Sequence, residues 1–226
     1  MTLRKGTPEE VGMSSRRIRQ VAMLSERWVA QGLVQSLAVV VARRGVVVLS
    51  EAFGPLNAAP ESPPLRLDSI FTLASITKPI TTTALMILVD EGSVGLNRPV
   101  LDYIPEFAGE GKDQVMVHHL ATHTAGLNDG LAHEHAESKL GSVSVPPPDP
   151  TAHPEVHEHL FRRYDTPLSR PPGAEMSYSS LGIALLGEIV RRVSGQSLEA
   201  FARERIFEPL GMKDTFYSVP AAVRSR

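Results

Sequence analysis

A serine three residues ahead of a lysine, in Leu73-Ala74-Ser75-Ile76-Thr77-Lys78-Pro79, is the feature of this chain that most plainly offers chemistry. On a helix, residues i and i+3 share a face with Cβ atoms roughly 5–6 Å apart, so the Lys78 ammonium reaches the Ser75 hydroxyl. The cation and the positive end of a helix dipole both favour negative charge on that oxygen, which makes Ser75 a candidate nucleophile for acyl transfer. Ser-x-x-Lys alone equally describes a capping serine followed by a solvated lysine. A second polar constellation changes the weighing: Pro172-Gly173-Ala174-Glu175-Met176-Ser177-Tyr178-Ser179-Ser180, a turn running into the apolar Leu181-Gly182-Ile183-Ala184-Leu185-Leu186. A phenol titrates near about pH 10, so Tyr178 acts as a base only beside a cation such as Lys78. The alternative is a half-buried tyrosine whose hydroxyl bonds to backbone.

The elements that must position these groups are legible nearby. Pro79 is tolerated only in a first helical turn, so the helix begins near Ser75, runs through the apolar Ile80 to Glu91 and stops at Gly92. Ser14 and Ser15 cap a helix over Arg16 to Ala30, with Ile18, Val21, Ala22, Leu24 and Val29 recurring on one face before Gly32. Ser36 to Ser50 reads as a hairpin of two β-branched runs around a basic turn containing Gly45. The stretch from Gly95 to Pro105 is too proline-punctuated for long elements. A helix continues from Tyr178 through Glu188 to Val193, and another spans Leu198 to Phe207 before Pro209.

The chain resembles the serine β-lactamase-like hydrolases, the superfamily of class C β-lactamases, D-alanyl-D-alanine carboxypeptidases and family VIII carboxylesterases. Five blocks carry the resemblance in the family's order: Pro8 to Met13, Ser75 to Lys78, His119 to Leu127, Pro172-Gly173 through Tyr178-Ser179-Ser180, and Pro209 to Thr215. The resemblance implies an α/β (α+β) β-lactamase/transpeptidase-like fold, an antiparallel sheet flanked by helices plus a helical domain. It also implies Ser75 as nucleophile with Lys78 and Tyr178 as base, Ser180 and Asp165 beside the substrate, and a His123 to Leu127 turn that is structural. One oxyanion donor would be the nucleophile's own backbone N–H.

Two departures stand out. The family's second motif is usually Tyr-x-Asn, and here Ser180 occupies the third position. The third motif, a Lys-Thr-Gly, His-x-Gly or Trp-x-Gly triplet on a strand lining the site, occurs nowhere after Ser180, so the chain is expected to lack the family's C-terminal third and part of its sheet. An incomplete sheet leaves an open edge, which favours self-association. We therefore expect one β-lactamase-related domain over 1–226, with the helix and hairpin of the sheet layer in 1–70, a mainly helical part in 71–226 and a loop excursion at 131–172.

Composition sets the outer limits. The 226 residues are 42% hydrophobic with a formal net charge of −2, which fits a globular chain and speaks against nucleic acid or a membrane as partner. There is no cysteine. The N-terminus has no apolar core for a signal peptide and no run is long enough to span a membrane, so a cytoplasmic location is the default expectation. The 131–172 region holds His133, His135, His153, His157 and His159, five of the eight histidines. A proline-rich run separates them and no His-Glu-x-x-His occurs, so a solvated loop is favoured over a metal site and no cofactor is expected. A Ser-His-Asp triad through His123 lacks a Gly-x-Ser-x-Gly elbow and leaves Lys78 unexplained. Two functional readings stay open: a serine hydrolase acting on a small ester, amide or β-lactam, and a non-catalytic relative that binds or pairs with another chain.

Overall fold

A computed structural model describes residues 3–226, which divide into two compact units: the residues up to Thr72 together with Val219–Arg226, and Leu73–Ser218. In the first unit, β1 (Arg4–Lys5), β2 (Leu37–Arg43) and β3 (Val46–Phe53) form a sheet in the order β1-β3-β2. Strands β2 and β3 pair antiparallel, from Leu37 opposite Phe53 to Arg43 opposite Val46, with a bulge between Val41 and Ala42. The turn between them is Arg44-Gly45, and both residues take the left-handed conformation (φ 51° and 76°) that a two-residue hairpin with the right twist requires. Strand β1 adds in parallel on the far side of β3, which leaves β2 at the rim with no strand beyond it among the described residues.

Helix α1 (Ser15–Ala30) packs on this hairpin, and the expectation of one buried apolar face is corrected in two respects. Of the five apolar positions read from the sequence only Ile18 is buried, while Val21 and Leu24 stay 37% and 40% exposed. The apolar stripe is longer than the three-strand sheet covers. Ser14 occupies the cap position without a side-chain bond; the helix start is held instead by Glu9, whose carboxylate accepts from the Ser15 N–H and hydroxyl at 3.0 and 2.8 Å.

The second unit is helical and contains the main core. Helix α2 (Thr77–Asp90) is preceded by a 3₁₀ turn over Ala74–Ile76, carries Pro79 in its first turn, buries Thr81, Ala84, Leu85 and Leu88, and is followed by left-handed Gly92. A short turn at Val100–Asp102 and the helix α3 (Val117–Ala121) come next; Val100, Ile104, Phe107, Val115, Val117 and Leu120 are fully buried. Where a loop excursion was read, the chain forms α4 (Asp129–Ser138) and α5 (Pro154–Phe161), and Ala132, Ala136, Leu160, Tyr164 and Thr166 are buried. These helices are short and rich in histidine and glutamate, so few apolar positions mark their period.

Helix α6 (Ser180–Ser194) is the centre of this unit, with Leu181, Ile183, Leu185, Leu186, Ile189 and Val190 buried and α2, α3, α4, α5 and α7 (Leu198–Ala202) against it. It is capped by the Ser179 hydroxyl, which accepts the Gly182 N–H at 3.1 Å. A side chain at Gly187 would come within 3.0 Å of Leu198 and 3.6 Å of Thr81, so glycine is what lets α6 approach both neighbours. After α7 the chain widens into a π-helical turn at Arg203–Phe207 in place of the continuous helix expected to Phe207.

One carboxylate ties α6 to two distant segments. Glu188, almost wholly buried, accepts from Arg191 and Arg192; Arg192 also bonds Glu106 at 2.8 and 3.1 Å, and Arg191 bonds Asp149 and the Thr151 hydroxyl. Burial pushes the Glu188 pKa up, but the two guanidinium groups outweigh it and hold the carboxyl below its ordinary value of 4.5. The folded state therefore binds this proton more weakly than the unfolded chain. The Glu188 contribution is fully present above pH 4.5 and is lost as the pH falls through the lower folded value. Chemical denaturation from pH 6 down to 3 is expected to show a loss of stability whose slope Glu188→Gln reduces, Asp129 and Asp149 contributing to the remainder. No described helix is long and apolar enough to cross a membrane.

Candidate active site

Ser75 lies in the 3₁₀ turn that leads into α2, and the residue before it pays a conformational penalty to put it there. Ala74 has φ 45°, a left-handed conformation that costs an L-residue about 1–2 kcal/mol. The Ser75 N–H has no hydrogen-bond partner among the described residues, so it is free to donate to a developing oxyanion. Lys78, one turn later, donates from Nζ to Ser75 Oγ at 3.2 Å. It has no carboxylate partner among the described residues.

Tyr178 enters from the other side, on the last extended residues before α6. Its hydroxyl lies 2.7 Å from Ser75 Oγ, and the Lys78 Nζ is 4.8 Å from its ring centre. The Lys78 ammonium, followed by the Ser75 hydroxyl, holds the phenol below its ordinary pKa. In the neutral state the phenol donates to Ser75 Oγ; once ionised, the same contact reverses and the serine hydroxyl donates to the phenolate. The serine–lysine pair and the tyrosine, two separate motifs in the sequence, are thus brought into one hydrogen-bonded group. The arrangement can deprotonate a serine hydroxyl and attack a carbonyl.

The backbone that carries Tyr178 is zipped to the turn at His123–Leu127. Ser177 N–H donates to His123 O at 2.7 Å, Gly173 N–H to Thr124 O at 2.7 Å and Ser169 N–H to Gly126 O at 2.9 Å. Gly126, at φ 76°, sits so close to this strand-like segment that an added Cβ would lie 2.1 Å from Arg170 O. Asp129 closes the arrangement from α4: its carboxylate accepts from the Ser179 hydroxyl at 2.8 Å, the Ser180 N–H at 2.7 Å and the Leu181 N–H at 3.2 Å. Burial raises the Asp129 pKa, and these three bonds at the start of α6 bring it below its usual value.

The other candidates fall into different surroundings. Ser180 is exposed and engages Asp129 through its backbone. Asp165 accepts from His135 at 3.0 Å and from Lys139, and makes no hydrogen bond to Ser75, Lys78 or Tyr178. Lys112, wholly buried, donates to Tyr164 O at 2.5 Å with its Nζ 4.5 Å from the Phe107 ring centre; burial pushes its pKa down to about 8. His123 Nδ1 accepts the Ser179 N–H at 3.2 Å, so it is turned toward backbone rather than toward Ser75. Among the described residues no cluster of three histidine, aspartate or glutamate side chains could hold a metal ion. Sequence reasoning missed Asp129 and Lys112. Neither stands in a motif, and only the fold brings them to the backbone they hold.

Comparison with known proteins gives the frame for this geometry. The model of the β-lactamase family matches residues 23–226. Esterase EstB of Burkholderia gladioli is 37% identical over 186 residues, covering 80% of this chain and 46% of the esterase. The D-alanyl-D-alanine-carboxypeptidase/endopeptidase AmpH of Escherichia coli K12 is 34% identical over 162 residues, covering 68% of this chain and 38% of its own. Among solved structures, the octameric penicillin-binding protein homologue from Pyrococcus abyssi superposes with a TM-score of 0.70 at 30% identity, over 87% of this chain and 43% of that one. The chain spans less than half the length of these relatives.

Proposed function

The chain belongs to the β-lactamase family and has its β-lactamase/transpeptidase fold, and on that premise we propose that it is a serine hydrolase in which Ser75 is the nucleophile and Lys78 with Tyr178 the base. The observation that carries the reading is the pair of contacts on one oxygen, Tyr178 Oη at 2.7 Å and Lys78 Nζ at 3.2 Å from Ser75 Oγ. The Tyr178 phenolate takes the Ser75 proton as Oγ bonds the carbonyl carbon of an ester or amide. The tetrahedral oxyanion accepts the Ser75 N–H. Collapse breaks the bond to the leaving group, which leaves with the proton now on Tyr178. Water, deprotonated by the same phenolate, then attacks the acyl-serine, and the carboxylic acid departs as Oγ recovers its proton. Lys78 supplies the positive charge against which the phenolate forms.

The relatives, named an esterase and a D-alanyl-D-alanine-carboxypeptidase/endopeptidase, support a carboxylesterase-like or β-lactamase-related activity on an ester or amide. Ser180 is assigned to the substrate side of the site because it follows Tyr178 at the position where the family carries an amide. Asp165 keeps only a more distant role, since His135 and Lys139 occupy its carboxylate. Hydrolysis of p-nitrophenyl acetate tests the assignment. Ser75→Ala is expected to fall to the rate of buffer alone, and an alanine variant as fast as the parent would refute the role of Ser75.

A second reading has an observation of its own. Tyr178 is 51% exposed and Ser75 stands in solvent, so water is not excluded from the group and its electrostatics are weaker than in a closed site. This openness favours a non-catalytic relative that binds, and the rim position of β2 separately favours pairing with another chain. Light scattering across a concentration series shows whether copies associate.

A further inference from the structure

We propose that His123 is a positioning residue for this site: its imidazole lies against the Tyr178 ring and accepts the backbone N–H of Ser179, and together these contacts keep the phenol hydroxyl within reach of Ser75. The inference rests on the reading of Tyr178 as base. Three independent attachments converge on the three residues 177–179. The His123 carbonyl accepts the Ser177 N–H at 2.7 Å, its Nδ1 accepts the Ser179 N–H at 3.2 Å, and its ring centre is 4.6 Å from that of Tyr178 with the planes 35° apart. Residues on both sides of Tyr178 and the ring itself are therefore held by one side chain and its own backbone.

The need for such a clamp follows from exposure. Half of Tyr178 faces solvent, and a tyrosine with that much freedom has other staggered rotamers that would carry its hydroxyl several ångströms away. The site needs the one rotamer that leaves Oη 2.7 Å from Ser75 Oγ. Ring contact with His123 at centroid separations of 4.5–7 Å is attractive and offsets the entropy of fixing that rotamer.

The backbone of His123 carries a second sign. Among the described residues three non-glycine residues have positive φ: Arg44, in the hairpin turn, and Ala74 and His123, at 45° and 59°. Ala74 precedes Ser75, and His123 touches Tyr178. A turn that needed only its shape would be served better by glycine, which takes φ of 59° without the cost of a Cβ. At this position the imidazole supplies an acceptor and a ring contact that glycine lacks.

The experiment uses the full chain with three variants, each checked for folding by circular dichroism. In His123→Gly the backbone is relaxed while ring and acceptor are lost; kcat is expected to fall about 10²-fold, as for a catalytic group displaced by an ångström, with KM changed less than threefold. His123→Asn tolerates the left-handed backbone and offers Oδ1 where Nδ1 was, and is expected to recover part of that loss. His123→Phe keeps a ring and loses the acceptor. Independently of turnover, the Tyr178 phenol is titrated by NMR with ring-labelled tyrosine. Its depressed pKa depends on Lys78 and Ser75, so it should rise toward the ordinary value in His123→Gly and less in His123→Asn. A glycine variant with parental kcat and parental phenol titration would overturn the proposal. If glycine fails to fold, an asparagine variant whose phenol titrates as in the parent overturns it equally, because the ring contact would then be dispensable. A parent that turns nothing over, while its phenol titration still shifts upward in His123→Gly, would refute the hydrolase reading and leave the positioning of Tyr178 by His123 standing.

Discussion

Lys78→Ala and Tyr178→Phe are each expected to lower kcat about 10³-fold, and the double variant is expected to be no slower than the slower single one. In the proposed mechanism both side chains act on one atom, Ser75 Oγ, and the ammonium beside the phenol favours its ionised form. Removing either member therefore removes the base as a unit. Both sites are at least partly open to solvent, so neither change leaves a large cavity and the fold should persist. Steady-state hydrolysis of p-nitrophenyl esters measures this. Losses that multiply in the double variant would mean that Lys78 and Tyr178 act separately, and the account of one coupled base would be wrong.

Gly126→Ala is expected to be the most damaging single methyl group in the chain. The new Cβ would stand 2.1 Å from Arg170 O and 3.1 Å from its carbonyl carbon, and these are backbone atoms that no rotamer change can move. Left-handed φ adds about 1–2 kcal/mol for any residue with a Cβ. The segment that must shift is the one bonded at Ser169, Gly173 and Ser177, and it ends on Tyr178. A destabilisation of about 4 kcal/mol, together with loss of activity in the fraction still folded, is expected. Urea denaturation measures the first effect; a midpoint shift equivalent to less than about 1 kcal/mol would show that the two segments are not locked as described.

The comparison of these two regions shows what a sequence can carry. Ser75 and Lys78 are three residues apart, and helical geometry alone puts them together, so their contact was legible before any fold was known. Tyr178 could be named from its turn, its glycine and the apolar run behind it, but its 2.7 Å approach to Ser75 depends on α2 and α6 packing side by side. The Arg44-Gly45 turn was legible for the same local reason as the serine–lysine pair.

What escaped reading was held by long-range contacts or by weak periodicity. Asp129 looks like an ordinary acidic residue in the first turn of α4, and only the fold sets it at the start of α6 as well. Helices α4 and α5 hide among histidines, glutamates and prolines, with two or fewer buried positions each. In α1 the apolar positions were read as one face, but burial depends on what lies opposite, and of the five only Ile18 is buried. The π-helical turn after α7 has no local sequence mark at all, because Leu198 to Phe207 keeps the composition of a regular helix.

The central claim is that Ser75 is an activated nucleophile, and covalent labelling reads it most directly. The full chain is incubated with a fluorophosphonate probe and, separately, with a penicillin, and adducts are mapped by peptide mass spectrometry. The account predicts a stoichiometric fluorophosphonate adduct on Ser75 that is absent in Ser75→Ala, with a penicillin adduct on the same residue if the substrate is a β-lactam. A folded chain that takes up no probe, or that carries the adduct on another residue, would contradict it.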